Sequence, residues 1–125
     1  MPSTKLCVLI VDDSDVVRDA IRTLLKESTG KYETHEADDA ESAIKRAKEI
    51  KPDVILLDLS LPGVSGVEIA KRMRVELPES KIVVMSAQDP IVLQKLTELA
   101  GLKWCIAKTE LSTELLPTLR KIAAD

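Results

Sequence analysis

Aromatic side chains are nearly absent from this sequence, since its 125 residues include one Trp, one Tyr and no Phe. Proteins that bind single-stranded nucleic acid by base stacking need several exposed rings, so that class is excluded. The core must instead be packed from aliphatic side chains, and 45% hydrophobic residues are enough for one. We therefore expect residues 1–125 to form a single domain.

Long apolar runs, paired cysteines and excess basic charge are also lacking. The longest apolar run, Leu6–Val11, is too short to cross a bilayer, and the N-terminus does not resemble a secretion signal, so a cytoplasmic protein without membrane contact is expected. Eighteen basic and 21 acidic residues give a net charge of −3, which argues against direct nucleic-acid binding. We expect Cys7 and Cys105 to be buried free thiols, His35 to be solvated, and no zinc site to form.

Apolar runs and amphipathic stretches alternate along the chain. Four runs that are apolar on both faces predict strands of a parallel sheet that helices cover on both sides, and one weakly alternating segment predicts an edge strand. The four apolar strands are predicted at residues 6–11, 54–57, 82–85 and 104–107, and the edge strand at 32–37.

Five helices are predicted between and after these strands. The first should bury an apolar stripe formed by Val16, Val17, Ala20, Ile21, Leu24 and Leu25. The second should begin at Asp38, whose spacing to Glu41 resembles a capping box, and should bury Ala40, Ala43, Ile44 and Ala47. The others are predicted near residues 65–76, 89–101 and 111–124.

A strand followed by a helix, repeated five times, predicts an α/β fold with a doubly wound parallel sheet. In such sheets the binding crevice lies at the carboxyl ends of the strands. Polar residues end four of the predicted strands, namely Asp12 and Asp13, then Asp58, Ser86 and Lys108. We expect these side chains to meet in one crevice.

Three carboxylates in one crevice repel one another and raise one another's pKa. A hard divalent cation such as Mg²⁺ relieves that repulsion and prefers oxygen ligands. Beside an aspartate, a metal ion and an ammonium group favour phosphoryl transfer, because they neutralise phosphoryl oxygens while the carboxylate attacks.

Four stretches of the sequence resemble the receiver domain of bacterial response regulators. They are Val11–Ser14, Asp58–Gly66, Met85–Ala87 and Ala107–Lys108. The resemblance extends from Lys5 to about Ala124 and implies a flavodoxin-like fold with strand order 2-1-3-4-5 and five helices.

The resemblance implies that Asp58 accepts a phosphoryl group from a sensor histidine kinase or a phosphotransfer protein. Asp13, Asp58 and the Ser60 carbonyl would ligate Mg²⁺ directly, and Asp12 would act through a bound water. Lys108 would pair with Asp58 or with its phosphoryl group. The domain would be a signalling module that catalyses only its own phosphorylation and dephosphorylation.

The same resemblance implies that Ser86 swings toward the phosphoryl group and changes a surface around the fourth helix, fifth strand and fifth helix. The family usually has an aromatic ring three residues before the lysine, where this chain has Cys105. Trp104 points to the opposite face and cannot replace that ring. We expect Cys105 to fill core space, and this leaves open how the switch motion is coupled.

Lys108 precedes Thr109 rather than the usual proline, as in receivers that precede a LuxR-type helix-turn-helix domain. The expected partner is therefore a downstream protein or a DNA-binding output domain outside these residues, and homodimerisation stays open. Three alternative functions are an aspartate-nucleophile phosphatase, a flavin mononucleotide binder, and a receiver-like interaction module that no longer signals through phosphorylation. The first needs a second acid at Ser60, and the acidic residues Asp12 and Asp13 would repel the flavin phosphate.

Overall fold

Five parallel strands form one sheet in the order β2-β1-β3-β4-β5 in the computed structural model, which describes residues 5–28 and 30–124. The strands are β1 (Leu6–Val11), β2 (Tyr32–Ala37), β3 (Val54–Asp58), β4 (Lys81–Ser86) and β5 (Trp104–Ala107). The helices are α1 (Asp15–Lys26), α2 (Ala40–Ile50), α3 (Gly66–Glu76), α4 (Pro90–Leu99) and α5 (Leu111–Ala124), with a 3₁₀ turn at Lys108–Glu110. The predicted class, strand order and helices are confirmed, whereas residues 1–4, 29 and 125 of the predicted domain lie outside the described residues.

The sheet separates two hydrophobic cores, because alternate residues of each strand point to opposite faces. Leu9 and Leu57 belong to the core beneath α2, α3 and α4, and their neighbours Ile10 and Leu56 belong to the core beneath α1 and α5. All four side chains are fully buried. The strands β1, β3 and β4 are thus covered on both sides, and β2 lies at one edge of the sheet, as its weaker alternation predicted, with β5 at the other edge.

The predicted stripe of α1 is too wide. Ile21 and Leu25 are buried, and Val17 and Leu24 are half-buried, but Val16 is 78% exposed. The row formed by Val16 and Ala20, one turn apart, is exposed to solvent. A helix that lies on one face of a sheet buries only part of its apolar surface, and spacing alone does not reveal which part.

The start of α2 also differs from the prediction. Its N-cap is Asp39 rather than Asp38, because the Asp39 carboxylate accepts the Ser42 N–H at 2.8 Å. Two adjacent aspartates offered two registers, and the spacing to Glu41 favoured the wrong one. The predicted buried face of α2 is confirmed: Ala40, Ala43, Ile44 and Ala47.

Cysteine and histidine side chains are placed differently from the expectation. Cys7 and Cys105 are free but only half-buried. His35 is only partly solvated, since its ring is 21% exposed and contacts Glu33 and Arg46. The Glu33 contact joins alternate residues of β2, and the Arg46 contact joins β2 to α2. Composition alone could not predict either contact.

Among the described residues, no helix is both long and apolar enough to cross a bilayer.

Candidate functional site

Asp12 and Asp58 lie side by side at the carboxyl edge of the sheet. Asp58 is the last residue of β3 and Asp12 directly follows β1, its neighbour in the sheet. Both side chains are buried: Asp12 is 0% exposed and Asp58 is 1% exposed. The adjacent Asp13 is exposed. One carboxylate oxygen from each of the three lies within 4.8 Å of the others. We call these three residues together with Lys108 the acidic pocket.

Lys108 connects the two buried carboxylates. Its Nζ lies 2.8 Å from Asp12 Oδ2 and 3.2 Å from Asp58 Oδ2, and its side chain is 21% exposed. The 3₁₀ turn that begins at Lys108 directly follows β5, at the same edge of the sheet. The acidic pocket therefore contains three carboxyl groups and one ammonium, which is an excess of acidic groups.

The electrostatics of the pocket reflect that imbalance. Burial raises the pKa of the Asp58 carboxyl above its usual value, and the charge of Asp12 adds to this, while the Ser60 N–H and Lys108 offset only part of it. Burial lowers the pKa of Lys108, but hydrogen bonds and charges from Asp12 and Asp58 outweigh it and raise that pKa. Lys108 thus stays positively charged beside Asp58 at neutral pH.

Backbone hydrogen bonds hold Asp58 in place. Its Oδ1 accepts the Ser60 N–H at 2.8 Å, and the intervening Leu59 N–H donates to the Met85 carbonyl of β4 at 2.9 Å. The start of α3 packs against this loop so closely that a Cβ on Gly66 would lie 2.1 Å from the Leu59 carbonyl oxygen. The loop after β3 therefore requires glycine at residue 66.

Ser86 ends β4 beside the pocket strands and is 1% exposed. Its Oγ accepts the Gln88 N–H at 3.0 Å, which orders the turn leading into α4. Asp89 then caps α4 by accepting the Ile91 N–H at 2.8 Å. A movement of the Ser86 hydroxyl would break the bond to Gln88.

Cys105 and Trp104 face opposite sides of β5, as the strand alternation predicts. Cys105 packs on the side of α4, where its Sγ lies 3.4 Å from Gln94 Oε1. Trp104 packs on the side of α5, and the Lys103 ammonium lies 4.8 Å from the centre of its ring. The expectation that Trp104 does not occupy the place of Cys105 is confirmed by this arrangement.

Arg18 of α1 is a pocket neighbour that the sequence did not reveal. Its Nη1 donates to the Asp12 carbonyl at 2.5 Å, and its Nε lies 3.0 Å from Glu36 Oε1 at the end of β2. It also pairs with Asp15, and its side chain is only 13% exposed. Helical spacing placed Arg18 on the polar face of α1, where arginines are usually solvated, so no sequence signal indicated this contact.

The donor set of the acidic pocket fits Mg²⁺. The candidate ligands are all hard oxygens, which this ion prefers. Asp12 Oδ2 is buried, and the Lys108 ammonium lies 2.8 Å from it. A second cation close to Asp12, Asp13 and Asp58 would offset the remaining negative charge.

Comparisons with known proteins point to one family. Residues 8–120 match the family model described as the response regulator receiver domain. Response regulator GacA of Pseudomonas syringae pv. syringae is 34% identical over 119 residues, which cover 94% of this chain and 55% of that protein. The chain thus spans about half the length of the curated relatives it matches.

Solved structures agree with this match. A LuxR-family two-component response regulator from Aurantimonas sp. superposes with a TM-score of 0.84 and 27% identity, over 97% of this chain and 86% of that one. A response regulator from Chloroflexus aurantiacus gives a TM-score of 0.87 and 28% identity, over 98% of this chain and 100% of that one. The chain therefore belongs to the response regulator receiver domain family of two-component signalling.

Proposed function

We propose that residues 1–125 act as a single phosphoacceptor receiver domain and that Asp58 receives the phosphoryl group. The observation that carries this proposal is the buried Asp58 carboxylate, which lies 3.2 Å from the Lys108 ammonium and within 4.8 Å of the Asp12 and Asp13 carboxylates. A buried carboxylate held beside a cation can act as a nucleophile toward a group that carries several anionic oxygens.

The donor would be a phosphohistidine on a sensor histidine kinase or a phosphotransfer protein. An Asp58 oxygen attacks phosphorus, a P–O bond forms, and the P–N bond breaks with its electron pair returning to the donor imidazole. Lys108 neutralises phosphoryl oxygens as the group arrives. The Ser60 N–H holds the Asp58 carboxylate in one orientation through its 2.8 Å bond.

Asp13, Asp58 and the Ser60 carbonyl would hold Mg²⁺ directly, with Asp12 acting through a bound water. When bound, the ion neutralises negative charge on the phosphoryl oxygens. Asp12 and Asp13 come from the β1–α1 loop, and Asp58 and Ser60 come from the β3–α3 loop, so both loops contribute ligands.

Ser86 would carry the signal away from Asp58. Its hydroxyl would leave the Gln88 N–H and bind the new phosphoryl group, which would alter the turn before α4. The surface around α4, β5 and α5 would then engage a downstream protein or a DNA-binding output domain outside these residues. The apolar residues in this region divide between core and surface: Leu93, Leu111 and Leu115 are buried, Leu96 and Trp104 are half-buried, and Leu99 is exposed. We place this signalling in the cytoplasm.

A second candidate is a receiver-like interaction module that no longer signals through phosphorylation. The observation that favours it is Cys105, whose small side chain contacts Gln94 on α4 where the family usually has a ring. Loss of the ring alters the coupling of Ser86 to α4, whereas the acidic pocket keeps all its polar residues.

Phosphorylation by a small-molecule donor tests the proposal. Incubation with acetyl phosphate and Mg²⁺ should add the mass of one phosphoryl group to the intact protein, and Asp58→Asn should abolish the addition. Asp38→Asn, which changes an exposed carboxylate at the end of β2, is the matched control and should be labelled like the wild type. Labelling of Asp58→Asn at the wild-type level would overturn the assignment.

A further inference from the structure

A second group of metal-binding side chains lies where β1 meets the edge strand β2. Cys7 is paired with Glu33 across the two strands, and His35 follows two residues later on the same face. The Glu33 carboxylate lies 2.6 Å from His35 Nε2 and 3.9 Å from Cys7 Sγ. The sulfur, one carboxylate oxygen and one ring nitrogen all lie within 4.8 Å of one another.

The sequence argued against a zinc site because it has one histidine and two distant cysteines, but the fold adds Glu33 as a third ligand beside Cys7 and His35. This ligand set differs in chemistry from the acidic pocket. A thiolate, an imidazole and a carboxylate favour Zn²⁺ and similar first-row ions, whereas Mg²⁺ prefers oxygen ligands alone. We propose that Cys7, Glu33 and His35 form a binding site for a divalent transition metal such as Zn²⁺, with water completing the coordination. The site is independent of Asp58 and of the phosphoacceptor function.

The spacing of the three ligands suits a tetrahedral ion. Bonds of about 2.0–2.3 Å place neighbouring ligand atoms roughly 3.3–3.8 Å apart. In this cluster the Glu33–His35 distance of 2.6 Å is shorter than that, and the Cys7–Glu33 distance of 3.9 Å is close to it. Small rotations of side chains that are partly exposed would therefore bring the three atoms to coordinating distance. The strands beneath them would not have to move.

Acidic groups lie close to the Cys7 thiol. The hydrogen bond with His35 lowers the pKa of the Glu33 carboxyl, and Lys5 is close enough to help lower it. Besides Glu33, the Asp53 carboxylate lies next to Cys7, since it accepts the Cys7 N–H at 2.8 Å. Arg46 of α2 is the positive group on the ring side, where its Nη2 lies 3.1 Å from His35 Nδ1. A bound dication would supply positive charge between the two acids and the thiol.

Metal binding requires two proton movements. The Cys7 thiol loses its proton to solvent, because the thiolate is the ligand. Arginine only donates, so its contact places a lone pair on His35 Nδ1 and the ring proton on Nε2, toward Glu33. Coordination through Nε2 transfers the ring proton to Nδ1, and the exposed Arg46 must turn into solvent. The Nδ1–H can then donate to water.

Cobalt substitution tests the site directly. Co²⁺ added to the wild-type chain should produce the near-ultraviolet absorption of a cobalt–thiolate bond, and Zn²⁺ should remove it by competition while Mg²⁺ should not. Cys7→Ser should abolish the band and Cys105→Ser should retain it, which makes the second cysteine the matched control. His35→Gln and Glu33→Gln should each weaken Co²⁺ binding. An absent band, or a band lost in Cys105→Ser and kept in Cys7→Ser, would overturn the proposal.

A measurement on the unaltered protein avoids any effect of substitutions on folding. At Zn²⁺ equal to ten times its dissociation constant, alkylation of Cys7 should slow about tenfold, because only the unoccupied fraction reacts. Cys105 in the same sample should react at its metal-free rate. Equal alkylation of Cys7 with and without Zn²⁺ would contradict the proposal, whatever the outcome of phosphorylation at Asp58.

Discussion

The acidic pocket and the α4–β5 contact lie next to each other but are held by different interactions. In the pocket, Asp58 is buried, bonded to a backbone N–H at 2.8 Å and paired with Lys108 at 3.2 Å. In the α4–β5 contact, formed by Gln94 and Cys105, one thiol meets one exposed amide at 3.4 Å. Apolar residues on α4 are also exposed, among them Ile91 at 71% and Leu99 at 67%.

This difference separates the region that carries out phosphoryl transfer from the region that transmits the signal. Phosphoryl transfer needs fixed groups, because a misplacement of about 1 Å can cost roughly a hundredfold in rate. Transmission needs an element with two arrangements of similar free energy, and a loosely packed contact provides that more readily than a buried ion pair. The pocket is therefore expected to tolerate few substitutions, and the α4–β5 contact to tolerate many.

The largest expected effect concerns the loop that holds Asp58. Gly66→Ala should lower the free energy of unfolding by about 3 kcal/mol, because the new Cβ would overlap the Leu59 backbone. Gly63→Ala in the same loop is the control: it meets no atom within 4 Å but must adopt a φ of +76°, which costs about 1 kcal/mol. Urea denaturation gives both values, and an equal or smaller cost at Gly66 would show that the loop is not tightly packed.

Charge in the pocket should oppose folding at neutral pH. Because folding raises the pKa of Asp58, ionisation of this carboxyl costs the folded state more than the unfolded state. Asp58→Asn, which removes the ionisable group, should thus raise the free energy of unfolding at pH 7. The wild type should lose stability relative to the variant as pH rises through the Asp58 pKa, and the difference should vanish in acid. Denaturation of both proteins across pH checks this; a destabilised variant at pH 7 would contradict it.

Removal of the Ser86 hydroxyl should show whether this group only stabilises the fold or also transmits the signal to α4. Ser86→Ala and Ser80→Ala each remove one hydrogen bond, to the Gln88 N–H and to the Pro52 carbonyl respectively, and each should cost about 1 kcal/mol. Only Ser86→Ala should also prevent changes at α4 when the pocket is phosphorylated. Tryptic cleavage at Lys95 of α4, before and after phosphorylation, measures this. An unchanged response in Ser86→Ala would remove the hydroxyl from the switch.

The smallest effect is expected at the α4–β5 contact. Cys105→Ala should change the free energy of unfolding by less than about 1 kcal/mol, since the thiol is half-buried and its contact with Gln94 is weak. The rate of labelling by acetyl phosphate should match that of the wild type. A large loss of labelling would show that the pocket depends on this contact and would remove the distinction between the two regions.

The sequence predicted the fold well, because apolar runs and helix-end residues are both local features of the chain. Apolar runs located the strands, and proline or capping residues located most helix ends, as at Asp89 before α4. The carboxyl-edge rule predicted that Asp12, Asp58 and Lys108 would meet, and they do. Motif resemblance, rather than spacing, indicated their chemistry.

What the sequence missed depends on contacts between separate elements. The burial of Arg18 requires the Asp12 carbonyl, in the loop after β1, and Glu36 of β2. The grouping of Cys7 with His35 depends on the β1–β2 register, and register cannot be read from composition. The exposure of Val16 likewise depends on how α1 lies against the sheet. Its apolar side chain has the spacing of a buried residue, but that spacing does not show which part of the helix faces the core.

The central claim is that phosphorylation of Asp58 changes the α4–β5 contact although the usual ring is missing. Amide NMR spectra recorded with and without beryllofluoride and Mg²⁺, which together mimic the phosphorylated state, test this claim most directly. We predict shifts at Asp58 and Ser86 that continue through Gln88 to Gln94 and Cys105. Shifts confined to the acidic pocket would contradict the account and would favour an interaction module that no longer signals through phosphorylation.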